Sequence, residues 1–154
     1  MQPIIKKVGI SEVSFGNDVT IIEPVNLYGC EIGDNTFIGP FVEVQNNVRI
    51  GRRCKIQSHA FICELVSIGD DCFISHGVMF INDLFQSGKP AGGDKKRWFK
   101  TTISNAVSLG SNSTILPVNI CSNVVVGAGS VVTKNITEPG VYAGCPAKKI
   151  REFC

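Results

Sequence analysis

Two histidines, His59 and His76, stand seventeen residues apart, in equivalent units of a recurring pattern. A neutral imidazole titrates close to physiological pH and can take a proton from an attacking amine or hydroxyl, so both are candidate general bases. His76 is the stronger, because it precedes the one long irregular segment of the chain; His59 is expected as its neighbour or as a substrate contact. Asn82 and Asp83 open that segment, and a carboxylate there favours a cationic amine, although both residue types are also ordinary turn formers. Further along come Lys89, Lys95, Lys96, Arg97 and the pair Trp98-Phe99. Cations of this kind attract phosphates and an indole can stack a base or pack the loop down; a solvated charge run is the plainer alternative.

These residues hang on a repeat. Eight consecutive six-residue units begin with an aliphatic residue at Ile32, Ile38, Val44, Ile50, Ile56, Ile62, Ile68 and Ile74, and four residues later comes Thr36, Val42, Val48, Cys54, Ala60, Val66, Cys72 or Val78. A period of six is neither the two of a strand nor the 3.6 of a helix. It fits a triangular coil of three short strands, with the aliphatic residue inward and the small one in a narrow corner. The frame extends upstream to Phe15 and Ile21 and resumes downstream at Ile103, Leu109, Ile115, Ile120, Val126 and Val132. The expected fold is therefore all-β: a parallel β-helix of hexapeptide repeats filling a single domain over 1–154, with one inserted corner loop over about 80–102 and a tail over about 137–154. Counting three units per turn predicts about five complete coils and the start of a sixth, a prism about 24 Å tall.

A net charge of +2 with interspersed signs argues against a nucleic-acid footprint. No apolar stretch approaches a membrane span, and Met1 to Ile10 lacks the apolar core of a secretory signal, so a soluble, cytoplasmic protein is expected, bound to neither membrane nor nucleic acid. Of the seven cysteines, Cys54 and Cys72 occupy the small inward position, while Cys30, Cys63, Cys121, Cys145 and Cys154 show no zinc-ribbon spacing; no metal is expected.

The run Ser-Asn-Ser-Thr-Ile-Leu-Pro at 111–117, then Val-Gly-Ala-Gly-Ser-Val-Val-Thr-Lys at 126–134, and Gly144-Cys145-Pro146-Ala147-Lys148 closely resemble the hexapeptide-repeat acyltransferases. Within them, Ser75-His76-Gly77-Val78-Met79-Phe80-Ile81-Asn82-Asp83 is most similar to the branch that N-acetylates 3-amino-3,6-dideoxyhexoses carried on a nucleoside diphosphate. The resemblance implies acetyl-coenzyme A, or another acyl-coenzyme A, as co-substrate and a dTDP- or UDP-linked amino sugar as acceptor, in bacterial-type surface polysaccharide (lipopolysaccharide) sugar synthesis. It also implies that the parallel β-helix is left-handed and that the protein is a homotrimer with sites between subunits. It assigns His76 to catalysis and His59, Asn82, Asp83 and Trp98 to the acceptor. Gly110, Gly127, Ala128, Lys134, Pro146, Lys148 and Lys149 go to the coenzyme, small residues allowing close approach and lysines meeting phosphates.

Three other readings are weighed. A hexapeptide-repeat O-acetyltransferase would act on a sugar hydroxyl or another small acceptor. A γ-class carbonic-anhydrase-like protein needs three histidines for zinc, and only two are present. A non-catalytic solenoid used for assembly remains because fold does not imply function.

Overall fold

The protein is described here by a computed structural model covering residues 2–153; Met1 and Cys154, and whatever the sequence suggested for them, lie outside the described residues. The chain winds into a left-handed β-helix with three flat faces. The first face stacks seven parallel strands: Ile10–Ser11, Asn26–Tyr28, Glu43–Val44, Phe61–Ile62, Met79–Phe80, Thr114–Ile115 and Val131–Val132. The second stacks six, from Ser14–Phe15 through Arg49–Ile50 and Thr101–Ile103 to Asn119–Ile120. The third has eight, beginning at Thr20–Ile21 and ending with Gly140–Ala143 and Lys148–Arg151.

Strictly repeated register is what makes the prism. On the second face Ile32, Ile50, Ile68, Ile103 and Ile120 stand directly above one another, and on the third Ile38, Ile56, Ile74, Leu109 and Val126 do the same. All are buried, as are the eight corner residues from Thr36 to Val78. Each such aliphatic side chain contributes about 1.5–3 kcal/mol by leaving water. Polar corner residues fit because they donate to the next coil: Thr36 Oγ1 to the Gly51 carbonyl at 2.9 Å, Cys54 Sγ to Gly69 at 3.1 Å and Cys72 Sγ to Ser104 at 3.1 Å. These thiols are therefore structural occupants of a valine-sized space that also offers a carbonyl.

The stack is seven layers tall, not five and a fraction, which at about 4.8 Å per layer makes it roughly 29 Å from first strand to last. Two irregular layers account for the difference. The first begins at Ile10, where the aliphatic frame is incomplete, and the last pairs Gly140–Ala143 with Val124–Val126, although its chain lacks the six-residue rhythm. The expected tail is thus largely sheet: Lys148–Arg151 turns back antiparallel on Gly140–Ala143. Phe15 keeps its register with Ile32 yet is 41% exposed, because its strand is the terminal one of the second face.

Turning three times per layer requires a left-handed backbone conformation at each corner. It recurs every sixth residue at Gly29, Asn35, Phe41, Asn47, Arg53, His59, Leu65, Asp71 and Gly77. Asn and Gly accept it readily; Phe41, His59 and Leu65 hold it against a steric penalty that the neighbouring coils must offset.

The inward columns yield a direct test. Ile56→Asp would bury an unpaired carboxylate and should destabilise the fold by about 3–5 kcal/mol or abolish soluble expression. Urea unfolding checks this; a midpoint equal to that of the parent would refute the register.

Candidate active site

The expected site residues fall on two different edges of the prism. The edge between the third and first faces carries both histidines. His59 N–H donates to Pro40 O at 3.2 Å, Gly77 N–H to Ser58 O at 3.0 Å, Asn112 N–H to His76 O at 2.9 Å and Gly129 N–H to Ser111 O at 2.8 Å, so these corners form one continuous ladder. His59 and His76 therefore lie on adjacent rungs. Gly110, Gly127 and Ala128 continue the same edge toward the C-terminal end, and Pro146 and Lys148 sit in the hairpin that closes it.

The two histidines are held differently. His76 is exposed, and its Nδ1 lies 2.9 Å from Ser58 Oγ on the rung below. With Nδ1–H donating to that hydroxyl, Nε2 is left as the basic nitrogen. His59 stacks on Phe41, ring centroids 4.9 Å apart and planes inclined by 28°. At Gly110 an added Cβ would come within 2.4 Å of the Ala128 backbone nitrogen, so glycine is what lets these two late coils close on each other. Beside Gly129 the space is open. A flat, side-chain-poor edge of this kind suits an extended chain such as pantetheine. Lys148 is exposed, and so is Lys134, but Lys134 stands on the other edge, between Val131–Val132 of the first face and Ile136, which bridges to Ile120 of the second; Lys149 is already paired with Glu152 at 2.6 Å and Glu138 at 3.2 Å, which raises its pKa and leaves it less available to a phosphate.

The insertion leaves from the edge between the first and second faces, replacing the corner between Met79–Phe80 and Thr101–Ile103. His76 precedes it in the chain, but within one subunit the strand Met79–Phe80 separates the histidine's edge from Asn82. This corrects the expectation that His76 stands at the mouth of the insertion beside Asn82. The neck of the loop is closed by Phe99 N–H donating to Asn82 O at 2.9 Å. Asp83 spends both oxygens on the loop itself, accepting from Phe85 N–H at 2.9 Å and Ala91 N–H at 2.6 Å, and these bonds hold its pKa below the usual carboxylate value. Its structural duty is thus to shape the loop. Trp98 is half-buried, with Lys95 Nζ 5.8 Å from its ring centre.

Beneath the loop is a largely apolar cleft of about 410 Å³ lined by Gln45, Phe61, Cys63, Asn82, Asp83 and Trp98, among others. At its side lies a residue that sequence reasoning passed over. Glu64 is buried, pairs through Oε1 with Lys95 Nζ at 2.7 Å, and leaves Oε2 without a hydrogen-bond partner. Its N–H donates to Gln45 Oε1 at 3.3 Å, and Gln45 Nε2 donates to Glu43 Oε1 at 3.0 Å. Tyr28 has its pKa raised by burial and by the nearby carboxylates of Glu43 and Glu64. The available signal was a glutamate two places after Ile62, in a repeat whose polar residues otherwise read as solvent-facing. Among the described residues, no group of three or more His, Cys, Asp and Glu is arranged to hold a metal ion, and no helix is long and apolar enough to cross a membrane.

Known proteins share this architecture. Residues 29–64 match the family of bacterial transferase hexapeptides (six repeats), and residues 101–134 match the hexapeptide repeat of succinyl-transferase. The galactoside O-acetyltransferase of Escherichia coli (strain K12) is 34% identical over 132 residues, covering 79% of this chain and 63% of that protein. The bifunctional protein GlmU of Streptococcus uberis is 32% identical over 145 residues, 93% of this chain but 29% of its own length. The chain thus spans less than two thirds of either relative. Among solved structures, a single-site mutant of AntD, an N-acyltransferase from Bacillus cereus in complex with dTDP and coenzyme A, superposes with a TM-score of 0.80 at 26% identity, covering 90% of this chain and 83% of that one. The chain thus carries the hexapeptide repeats of bacterial transferases and is similar in sequence and fold to hexapeptide-repeat acyltransferases.

The role found for Asp83 predicts a local, pH-dependent effect. A depressed folded-state pKa means that its contribution to loop order is complete above the ordinary carboxylate range and is lost as pH falls through the lowered value. At neutral pH, limited proteolysis of Asp83→Ala should cut within residues 84–97 several-fold faster than the parent, roughly in line with losing two charge-assisted bonds. Equal cleavage rates would show that the loop does not depend on Asp83.

Proposed function

We propose that this chain transfers an acyl group, most simply acetyl, from acyl-coenzyme A to the amine of a dTDP- or UDP-linked 3-amino-dideoxy sugar, in the synthesis of bacterial-type surface polysaccharide. The observation that carries the reading is the fold shared with AntD, crystallised with dTDP and coenzyme A, together with a glycine-rich edge ending near exposed Lys148 and a largely apolar cleft that also presents Asn82 and Asp83. The working assembly is a homotrimer. Its physical motive is the placement of the two half-sites: a threefold arrangement of flat-sided prisms can set the histidine edge of one subunit against the loop edge of the next. The outward side chains of the first face, half-buried Phe61 and Met79 at 45% exposure, supply apolar surface for that contact.

In this reading the coenzyme lies along Gly110, Gly127 and Ala128, with Lys148 and, less freely, Lys149 meeting phosphates and Pro146 shaping the turn beside them. The acceptor lies against Asn82 and Trp98, with His59 nearby and Asp83 acting through the loop it organises. The sugar amine must lose a proton to attack the thioester carbonyl. His76 Nε2 accepts that proton, with Nδ1–H donating to Ser58 Oγ in this reading, and the departing thiolate takes the remaining proton from the nitrogen of the tetrahedral intermediate as the C–S bond breaks. Backbone N–H groups and fixed orientation supply the remaining acceleration.

The second reading, O-acetylation of a sugar hydroxyl, is favoured by the 34% identity with galactoside O-acetyltransferase. Incubating the protein with acetyl-coenzyme A and either 3-amino-3,6-dideoxyhexose nucleotides or the matching hydroxyl sugars separates the two. Free thiol should appear only with the amines. Release only with hydroxyl sugars would move the chain to the O-acetyltransferase reading.

His76 is tested by turnover. His76→Ala should lower kcat by about 10²-fold or more with a smaller effect on KM, and His59→Ala should do less. A loss under about threefold for His76→Ala would assign the rate to orientation and the leaving thiolate instead.

A further inference from the structure

We infer that Glu64 is the carboxylate that receives the ammonium group of the acceptor, and that Lys95 of the insertion is the resident cation which the acceptor displaces. The inference rests on the amine-acceptor reading above and gives it a binding group. Glu64 sits at the loop edge with its side chain only 7% exposed, so its charge has been taken almost wholly out of water. A buried carboxylate is tolerated when its oxygens are paired, and here only half of the pairing is present. Oε1 has Lys95, and Oε2 has nothing. A buried acceptor left unmet is destabilising, a deficit that a ligand donor removes.

The surroundings select the kind of donor. Gln45 gives its Oε1 to the Glu64 N–H and its Nε2 to Glu43, and Asn26 Nδ2 donates to Glu43 Oε2 at 3.1 Å, so both neighbouring amide side chains direct donors at Glu43 and not at Glu64. Asn82 Nδ2 donates to the Glu64 carbonyl at 3.3 Å, which leaves Asn82 Oδ1 as an acceptor. Cys63 and Asn82, one bonded to Glu64 through the chain and the other through that hydrogen bond, both line the cleft under the loop. The site therefore presents acceptors in excess of donors beside an apolar wall. A primary ammonium, with three donors, no acceptor and a positive charge, is the complement to this set. A sugar hydroxyl has one donor and brings no charge to neutralise Glu64.

Lys95 shows that an alkylammonium is what Glu64 takes when no acceptor is bound, and the lysine's own position shows that it can leave. It lies in the one-turn helix Lys95–Arg97, capped by Asp94, and its side chain is 59% exposed. Departure of Lys95 would return a charge to solvent, and the same exchange would free the loop near Trp98 to close over the sugar. Glu64 thus distinguishes amine from hydroxyl acceptors, and Lys95 couples acceptor entry to loop position.

Steady-state kinetics with acetyl-coenzyme A and a nucleotide 3-amino-3,6-dideoxyhexose test the inference on three proteins: the parent, Glu64→Gln and Lys95→Met. The parent should release thiol with the amine. Glu64→Gln should raise the amine KM about tenfold or more, with the KM for acetyl-coenzyme A unchanged, as for a lost charge-assisted contact. Lys95→Met should leave the amine KM equal or lower, because a competitor is gone. An unchanged acetyl-coenzyme A KM also certifies that a variant is folded. Should Glu64→Gln not fold, Lys95→Met decides alone: an amine KM raised tenfold would make Lys95 a ligand for the acceptor and overturn its role as placeholder. Amine turnover in the parent together with an unaltered amine KM in Glu64→Gln would overturn the assignment of Glu64 while leaving the proposed reaction intact. A parent that acts only on hydroxyl sugars would overturn both.

Discussion

Everything in this molecule depends on one constraint: each coil must repeat the coil beneath it closely enough that parallel backbone hydrogen bonds form along all three faces. The inward aliphatic column enforces this, since slipping a strand by one residue would turn its buried isoleucine outward and bring a polar neighbour in. Ile56 lies directly between Ile38 and Ile74, and the corner thiols of Cys54 and Cys72 reach upward to carbonyls of the following layer. The prism wall that results is rigid, and side chains on its edges are placed by layer rather than by local flexibility. Function is confined to what those edges can present.

The two edges present different chemistry for that reason. One is a ladder of tight corners, where Ser58 fixes the His76 ring and Gly110 permits close stacking on Ala128. The other is interrupted by a loop that brings in side chains the repeat cannot supply: Asn82 at the neck, Trp98 over the cleft, Lys95 on Glu64. Within a subunit the strand Met79–Phe80 keeps these sets apart. The reaction proposed above draws on both sets, and a threefold assembly would bring one subunit's histidine edge to the next subunit's loop edge.

Much of the architecture was legible because inward positions permit little variation: the aliphatic residue every sixth position from Ile32 to Ile74 is buried at each place it was expected. The ends were less legible. Ile10 and Gly140–Ala143 form layers by backbone pairing without the full side-chain rhythm, so the prism was read as too short. Site residues were harder, because chain adjacency is a poor guide across a corner. His76 and Asn82 are six residues apart in the chain yet on separate edges. Asp83 looked available for a substrate and instead binds two loop amides, and Lys149 looked available for a phosphate and instead holds two glutamates. Glu64 went unseen because only the insertion folding back over it turns an apparently surface glutamate into a buried one.

The composite site is the central claim, and subunit mixing tests it most directly. His76→Ala and Asn82→Ala each damage a different edge, and each protein alone should be nearly inactive. Unfolded together in equal amounts and refolded, they should regain about a quarter of the parent activity, because random assembly unites an intact histidine edge with an intact loop edge at one interface in four. A mixture no more active than the two variants measured separately would show that the edges do not work across a subunit boundary.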